Sequence, residues 1–241
     1  MKYLAILIIS AIPALLSAQY CDSFRLTLED ELELECTSNT ITALHDQMDR
    51  DYVYTANAEG GLTVLSSVDP ENLEVIANVD ATWFDDLTVN RVIQRNNLLF
   101  LPLGSMFGSH DQPSGLAIVN VENPLFPEVL DVRANEEDAG AAHVALAGDL
   151  AYLCGLSNGV IVLSIVDPTN IGFVSQYIPP TDWPVGTDVE KIKARNIVID
   201  GTTAYLAYDA GGMRILQLGD AGGVEEIGRY SNPALDGAAR A

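Results

Sequence analysis

The apolar residues of this chain fall into short runs that break at glycine, proline, asparagine or aspartate. No window repeats its apolar positions at the helical period over enough length for a helix, so the runs predict β-strands. One stretch shows the pattern plainly. It predicts strands over His143–Ala147, Leu150–Cys154, Gly159–Ile165 and Ile171–Ile178. Gly148-Asp149 and Asp167-Pro168 supply two of the turns, glycine through positive φ and proline through its fixed φ.

The same unit recurs four times. Gly61-Leu62-Thr63-Val64-Leu65 aligns with Gly115-Leu116-Ala117-Ile118-Val119, Gly159-Val160-Ile161-Val162-Leu163 and Gly212-Met213-Arg214-Ile215-Leu216. Pro70, Pro124 and Pro168 stand nine residues after the first three glycines, each preceded by Asp69, Asn123 or Asp167. An aliphatic follows six residues on, at Ile76, Leu130 and Val174. The fourth copy has Asp220-Ala221 in place of the proline pair and keeps register at Ile227. Upstream, an aromatic recurs at Tyr54, Phe100, Tyr152 and Tyr205, and eight residues before each stand Asp46, Val92, Val144 and Ile197. The second copy carries an eight-residue insertion between its aromatic and its glycine. Four short antiparallel strands per unit of roughly 40–50 residues predict the blades of an all-β propeller. The expected blades cover about 41–80, 88–133, 140–178 and 192–230.

The glycine-aliphatic run followed by Asp/Asn-Pro resembles the LVIVD repeat, from Ile41 to the C-terminus. That resemblance implies a bacterial secreted or cell-surface β-propeller and carries no catalytic residues with it. The insertion in copy two and the lost proline in copy four depart from the pattern. The segment 231–241 is similar to the entry of copy three, Asp138 to Val144. The expectation is an incomplete propeller, a fragment with four blades and the start of a fifth; the alternative is that this tail is itself the closing strand.

Ahead of the repeats, Met1-Lys2 precede an apolar stretch from Tyr3 to Leu16, then Ser17-Ala18 and Gln19. This predicts a signal peptide over 1–18 with cleavage after Ala18; a retained anchor is the alternative. The stretch is short for a bilayer span, which takes about 20 residues, and the mature chain is expected to have no transmembrane segment. Residues 19–40 read as an N-terminal β segment. Cys21 and Cys36 flank alternating Leu26, Leu28, Leu32 and Leu34, so they either staple a hairpin after export or stay apart. Cys154 lies in an apolar strand and reads as a small buried residue.

The formal net charge of -22 argues against nucleic acid and anionic membranes, which need clustered Lys and Arg. Acidic composition by itself names no partner; the expected partner is a protein or glycan at the cell surface, engaged through the acidic loop face of the propeller. In a propeller the inter-blade loops share a face with the loops between second and third strands. That face gathers Asp80, Asp85, Asp86, Glu136, Glu137, Asp138, Asp182, Asp188 and Glu190, and the insertion Gly104–Gln112 with Met106, Phe107, His110 and Asp111. His45, Arg91, His143 and Asn196 lie nine residues before the four aromatics. Each is expected to open an innermost strand at the channel mouth, where the set either holds a small anion or satisfies strand ends and channel water. Trp83 and Trp183 occupy corresponding loops, and either stack on a ligand or cap the core. Calcium on the acidic loops is an alternative to solvated charge, although no regular Asp spacing marks a calcium loop; no cofactor is expected. No nucleophile motif appears. The expected function is a secreted, non-catalytic binding or scaffold module, the alternative a hydrolase or lyase with its site at the channel mouth.

Overall fold

The computed structural model describes residues 40–106 and 112–232, with backbone alone over 136–138. The expected signal peptide, the Cys21 and Cys36 pair, His110, Asp111 and nearly all of the expected fifth unit lie outside the described residues. The fold is all-β. Sheet 1 comprises β1 (Thr42–His45), β2 (Tyr52–Ala56), β3 (Leu62–Ser66) and β4 (Glu74–Val79). Sheet 2 comprises β5 (Ile93–Arg95), β6 (Leu98–Leu103), β7 (Pro113–Asn120) and β8 (Glu128–Asp138), so its last strand runs past the expected 133. Sheet 3 comprises β9 (His143–Ala147), β10 (Leu150–Cys154), β11 (Val160–Ser164) and β12 (Gly172–Tyr177). Sheet 4 comprises β13 (Asn196–Asp200), β14 (Thr203–Ala207), β15 (Met213–Leu218) and β16 (Val224–Tyr230). Each sheet is an antiparallel meander in chain order.

The sheets stack in a propeller-like arrangement, each pressed against the next. Tyr54 and Val64 of sheet 1 meet Leu99, Leu101 and Ala117 of sheet 2 in one core. Phe100 and Ile118, on the other side of sheet 2, meet Ala151, Leu153 and Ile161 of sheet 3. Tyr152 and Val162 meet Ala204, Leu206 and Leu216 of sheet 4. Alternate residues of a strand point to opposite faces. A sheet covered on both sides therefore needs apolar residues at every position of its central strands, which is why β6 reads LLFLPL and β11 reads VIVLS. Full burial of each such side chain contributes about 1.5–3 kcal/mol.

The repeated residues have specific jobs. Ile76, Leu130, Val174 and Ile227 are the extra residues at a register shift between third and fourth strands, one in every sheet. Such bulges add twist to the outer strand. Gly61, Gly159 and Gly212 have φ of 78°, 68° and 75°, and a Cβ there would fall 2.2–2.4 Å from a carbonyl oxygen at the end of the fourth strand. The Asp/Asn-Pro pairs form side-chain-capped turns. Asp69, Asn123 and Asp167 each accept from the backbone N–H two residues on. The fourth copy turns instead through Gly219–Gly223, with Gly222 at φ 78°.

One expectation is corrected. The aromatics pair with Leu44, Ile93, Ala145 and Val198 of the innermost strands. Seven residues separate these partners in sheets 2 to 4, but ten separate Leu44 from Tyr54. The first hairpin is longer, and its loop is built around a charge. Buried Asp46 accepts from Arg50 Nη2 at 2.6 Å, Tyr54 Oη at 2.6 Å and the Met48 N–H at 2.7 Å. Arg50 also donates to the Val121 and Glu122 carbonyls of sheet 2. Burial alone would raise the Asp46 pKa, but bonds from Arg50, Tyr54, Met48 and Gln94 outweigh it and hold the carboxyl below its ordinary value.

Candidate functional site

Two kinds of segment meet on one face. Turns Asn57–Gly61, Gly155–Gly159 and Tyr208–Gly212 join second to third strands through the same backbone bonds: first N–H to fifth carbonyl, fourth N–H to first, fifth N–H to second. Ala58, Leu156 and Asp209 adopt positive φ at the second position. The linkers between sheets run across these turns. Ala58 and Val89 exchange backbone bonds, and Leu156 bridges Ala194. The insertion of sheet 2 starts from the same face, its base tied down by Gly104 N–H to Thr88 O at 2.9 Å and Thr88 Oγ1 to Gln112 Oε1 at 3.0 Å.

The polar set of innermost strands assembles in part. His143 and Asn196 open β9 and β13, which lie against each other. Arg91 precedes β5, and its charge faces His143. His143 Nδ1 and Asn196 Oδ1 are buried without a protein partner. Burial, then the Arg91 charge, brings the His143 pKa down from 6.5 to about 4, so the imidazole is neutral at pH 7. His45 does not join them. It closes β1 at the opposite end, exposed, because of the longer first hairpin. Thr42 holds the matching register position, opposite Ala56 as His143 is opposite Cys154, and its hydroxyl is likewise buried without a partner. Reading it from sequence would have required the extra length of the charged loop 46–51.

The arc supplies hydrogen-bonding groups and the Arg91 guanidinium. Cys154 pairs across from His143, but complete burial pushes its thiol far up, which works against thiolate chemistry. Arg195, beside Asn196, bonds Asp209 Oδ2 at 2.7 Å and the Met106 carbonyl at 3.1 Å.

The two tryptophans part company. Trp183 lies between Arg214 and Arg229, with guanidinium carbons 5.0 and 5.6 Å from its ring. Arg214 is fully buried, bonds the Trp183 and Pro180 carbonyls and pairs with Glu226. Trp183 therefore clasps the linker onto sheet 4. Trp83 sits on a 3-10 turn, Ala81–Phe84, and is 66 % exposed. Asp80 and Asp188 cap the short turns of the two linkers with their carboxylates; the Thr82 N–H holds the Asp80 carboxyl below its ordinary pKa. Among the described residues, no group of three or more His, Cys, Asp or Glu is placed to hold a metal ion, and no helix is long and apolar enough to cross a membrane.

No family model matches the chain, and no curated protein matches it. Among solved structures it is similar to a protein from Lactobacillus plantarum, with a TM-score of 0.63 and 18 % identity over 80 % of this chain and 57 % of that one. It is also similar to the computationally designed Ika4 protein, with a TM-score of 0.54 and 10 % identity over 81 % of this chain and 100 % of that one. The chain thus spans little more than half of the Lactobacillus plantarum structure. At these identities the likeness is one of fold alone.

Proposed function

We propose that this chain is part of a secreted β-propeller of the LVIVD-repeat type, a non-catalytic module that binds a protein or glycan at the cell surface. The observation that carries this reading is the gathering of linkers and second-to-third-strand turns on one face. Paired backbone bonds pin them there, and loops held by a rigid scaffold are the usual seat of recognition. The repeated glycine, bulge aliphatic and Asp/Asn-Pro turn support the repeat type. The apolar stretch from Tyr3 to Leu16 supports export.

The propeller has further sheets beyond the four. Val198, Tyr205 and Ile227 on the outer face of sheet 4 are bare, and the matching residues of sheets 1 to 3 are covered by the next sheet. Limited proteolysis of the protein from its native source should leave a resistant core larger than four sheets; a four-sheet core would overturn this part of the reading.

Binding is tested by titrating the chain against extracellular glycans and proteins, with ligand mass followed throughout. Replacing Asp85, Asp86, Asp182 and Glu190 by their amides should weaken binding at least tenfold and leave the ligand intact. A ligand cleaved in proportion to the protein added would establish an enzyme instead. Binding indifferent to all four replacements would move the site off this face.

A further inference from the structure

The three sheet junctions differ at their outer rim. Between sheets 2 and 3, Asp131 Oδ2 accepts from the Ile171 N–H at 2.6 Å and Arg133 Nη1 donates to the Ile171 carbonyl at 3.4 Å. Between sheets 3 and 4, Ser175 Oγ donates to the Gly222 carbonyl at 2.5 Å. In both, an outer strand is latched to the next sheet's third-to-fourth-strand turn. Asp131 and Ser175 pair with Ile118 and Val162, as Ala77 pairs with Val64 in sheet 1. A methyl group cannot make that bond. A cleft of about 570 Å³ remains at the junction of sheets 1 and 2, between β4 with Trp83 and the turn that leads into β8.

A second departure from the repeat lies on the opposite wall. Two residues after the proline, the turn of sheet 1 has Asn72 and that of sheet 3 has Asn170; sheet 2 has Phe126. The residue before it is Glu71, Thr169 or, in sheet 2, Leu125. Phe126 is 77 % exposed. Both aromatics stand on fixed turns. The residue after Trp83, Phe84, is buried in the core, and Asp80 caps that turn. Asn123 caps the turn of Phe126 through the Leu125 N–H at 3.2 Å. A backbone held in place before binding loses little entropy when a ligand arrives, which leaves only the ring torsions to be fixed. The volume falls within the roughly 300–1,000 Å³ of small-ligand sites.

The lining decides the class of ligand. Among the described residues, Glu128 is the one charged residue that lines the cleft, and the chain carries a net charge of -22, so acidic ligands are repelled. Asn78 pairs with Thr63 and accepts from its Oγ1 at 2.8 Å on the face of sheet 1 turned away from sheet 2, because alternate residues of a strand point to opposite faces; its amide is therefore spent outside the cleft. Two exposed ring faces and a carboxylate acceptor match the apolar C–H face and the hydroxyl rim of a sugar. A protein anchor would favour a pocket closed to water. We propose that this cleft is a carbohydrate subsite that takes an oligosaccharide free of acidic groups. The assignment rests on the binding-module reading and narrows it.

The test titrates the full chain with oligosaccharides of glucosamine, of N-acetylglucosamine and of galacturonic acid, and with a proline-rich peptide, by calorimetry and tryptophan emission. The two sugars without acidic groups should bind and shift the emission. Trp83→Ala and Phe126→Asn should each weaken binding at least tenfold, and Trp183→Phe should leave the shift in place. Ala77→Ser, which supplies a hydroxyl donor like that of Ser175 (Pro127 stands where Ile171 offers its N–H to Asp131 and has none to give), should weaken binding similarly with no loss of thermal stability. Failure of both sugars to bind overturns the subsite, as does binding of the galacturonate or the peptide alone. Sugar binding that survives Trp83→Ala and Phe126→Asn but is lost on neutralising the linker acids overturns the cleft and leaves the binding module standing. Cleavage of the sugar would overturn the module.

Discussion

Phe100 and Tyr205 hold the same place in two repeats, yet Phe100 is fully buried and Tyr205 is 39 % exposed. Their strands pair alike, each ring opposite an aliphatic of the innermost strand. The difference is the neighbour. Phe100 packs on sheet 3, whereas no described sheet covers the corresponding face of sheet 4. A repeat of this kind completes its core only through the next copy, so equal sequence does not mean equal energetic weight.

Mutation sharpens the contrast. Phe100→Ala should have the largest effect, destabilising the fold by roughly 3–5 kcal/mol in denaturant unfolding. Next comes the network that ties the first hairpin to sheet 2. Asp46→Ala leaves Arg50 without its anion and should cost about 2–4 kcal/mol, somewhat below a fully buried pair because Arg50 is partly exposed. Its carboxyl has a lowered pKa, so in the parent this stabilisation is present above the ordinary value of 3.8 and fades as the pH falls through the folded value.

His143 supplies a smaller, pH-dependent step. The unfolded chain takes up its proton near 6.5 and the folded chain only near 4. Stability should therefore fall as the pH drops from 6.5 to 4, by up to roughly 3 kcal/mol at the lower end and much less at pH 6. His143→Gln should flatten that part of the profile; an unchanged slope would place the imidazole in water. Asp131→Ala, which removes the latching carboxylate and leaves the Ile171 N–H without it, should cost about 1–2 kcal/mol. The smallest effect, in this 241-residue chain by itself, belongs to Tyr205→Ala, below about 1 kcal/mol. If it matched Phe100→Ala, the outer face of sheet 4 would be covered and the comparison would fail.

Most strands were legible because their periodicity and turn residues act locally. In the third copy the first two strands match residue for residue, and the other two differ only at their ends. The candidate site was less legible. Placing His45 depended on counting residues without gaps, and a hairpin loop built on a buried charge absorbs extra residues without disturbing the strands beside it. Trp83 and Trp183 look alike on paper; only the two arginines around Trp183 separate them. Phe126 was visible as a break in the Asn pattern, but its meaning depended on Ala77, 49 positions earlier in the chain.

By itself the sequence determined the repeating unit: four strands, a glycine at positive φ in three copies, a capped turn at Asp/Asn-Pro in three copies and an apolar residue at the bulge that all four sheets share. These follow from backbone sterics and hydrogen bonds between residues close in the chain. Tertiary structure alone decided which rings are buried, which junction stays open and which polar groups meet on the arc. Each of these depends on what lies across the gap between two sheets, and burial belongs to a pair of surfaces rather than to either strand.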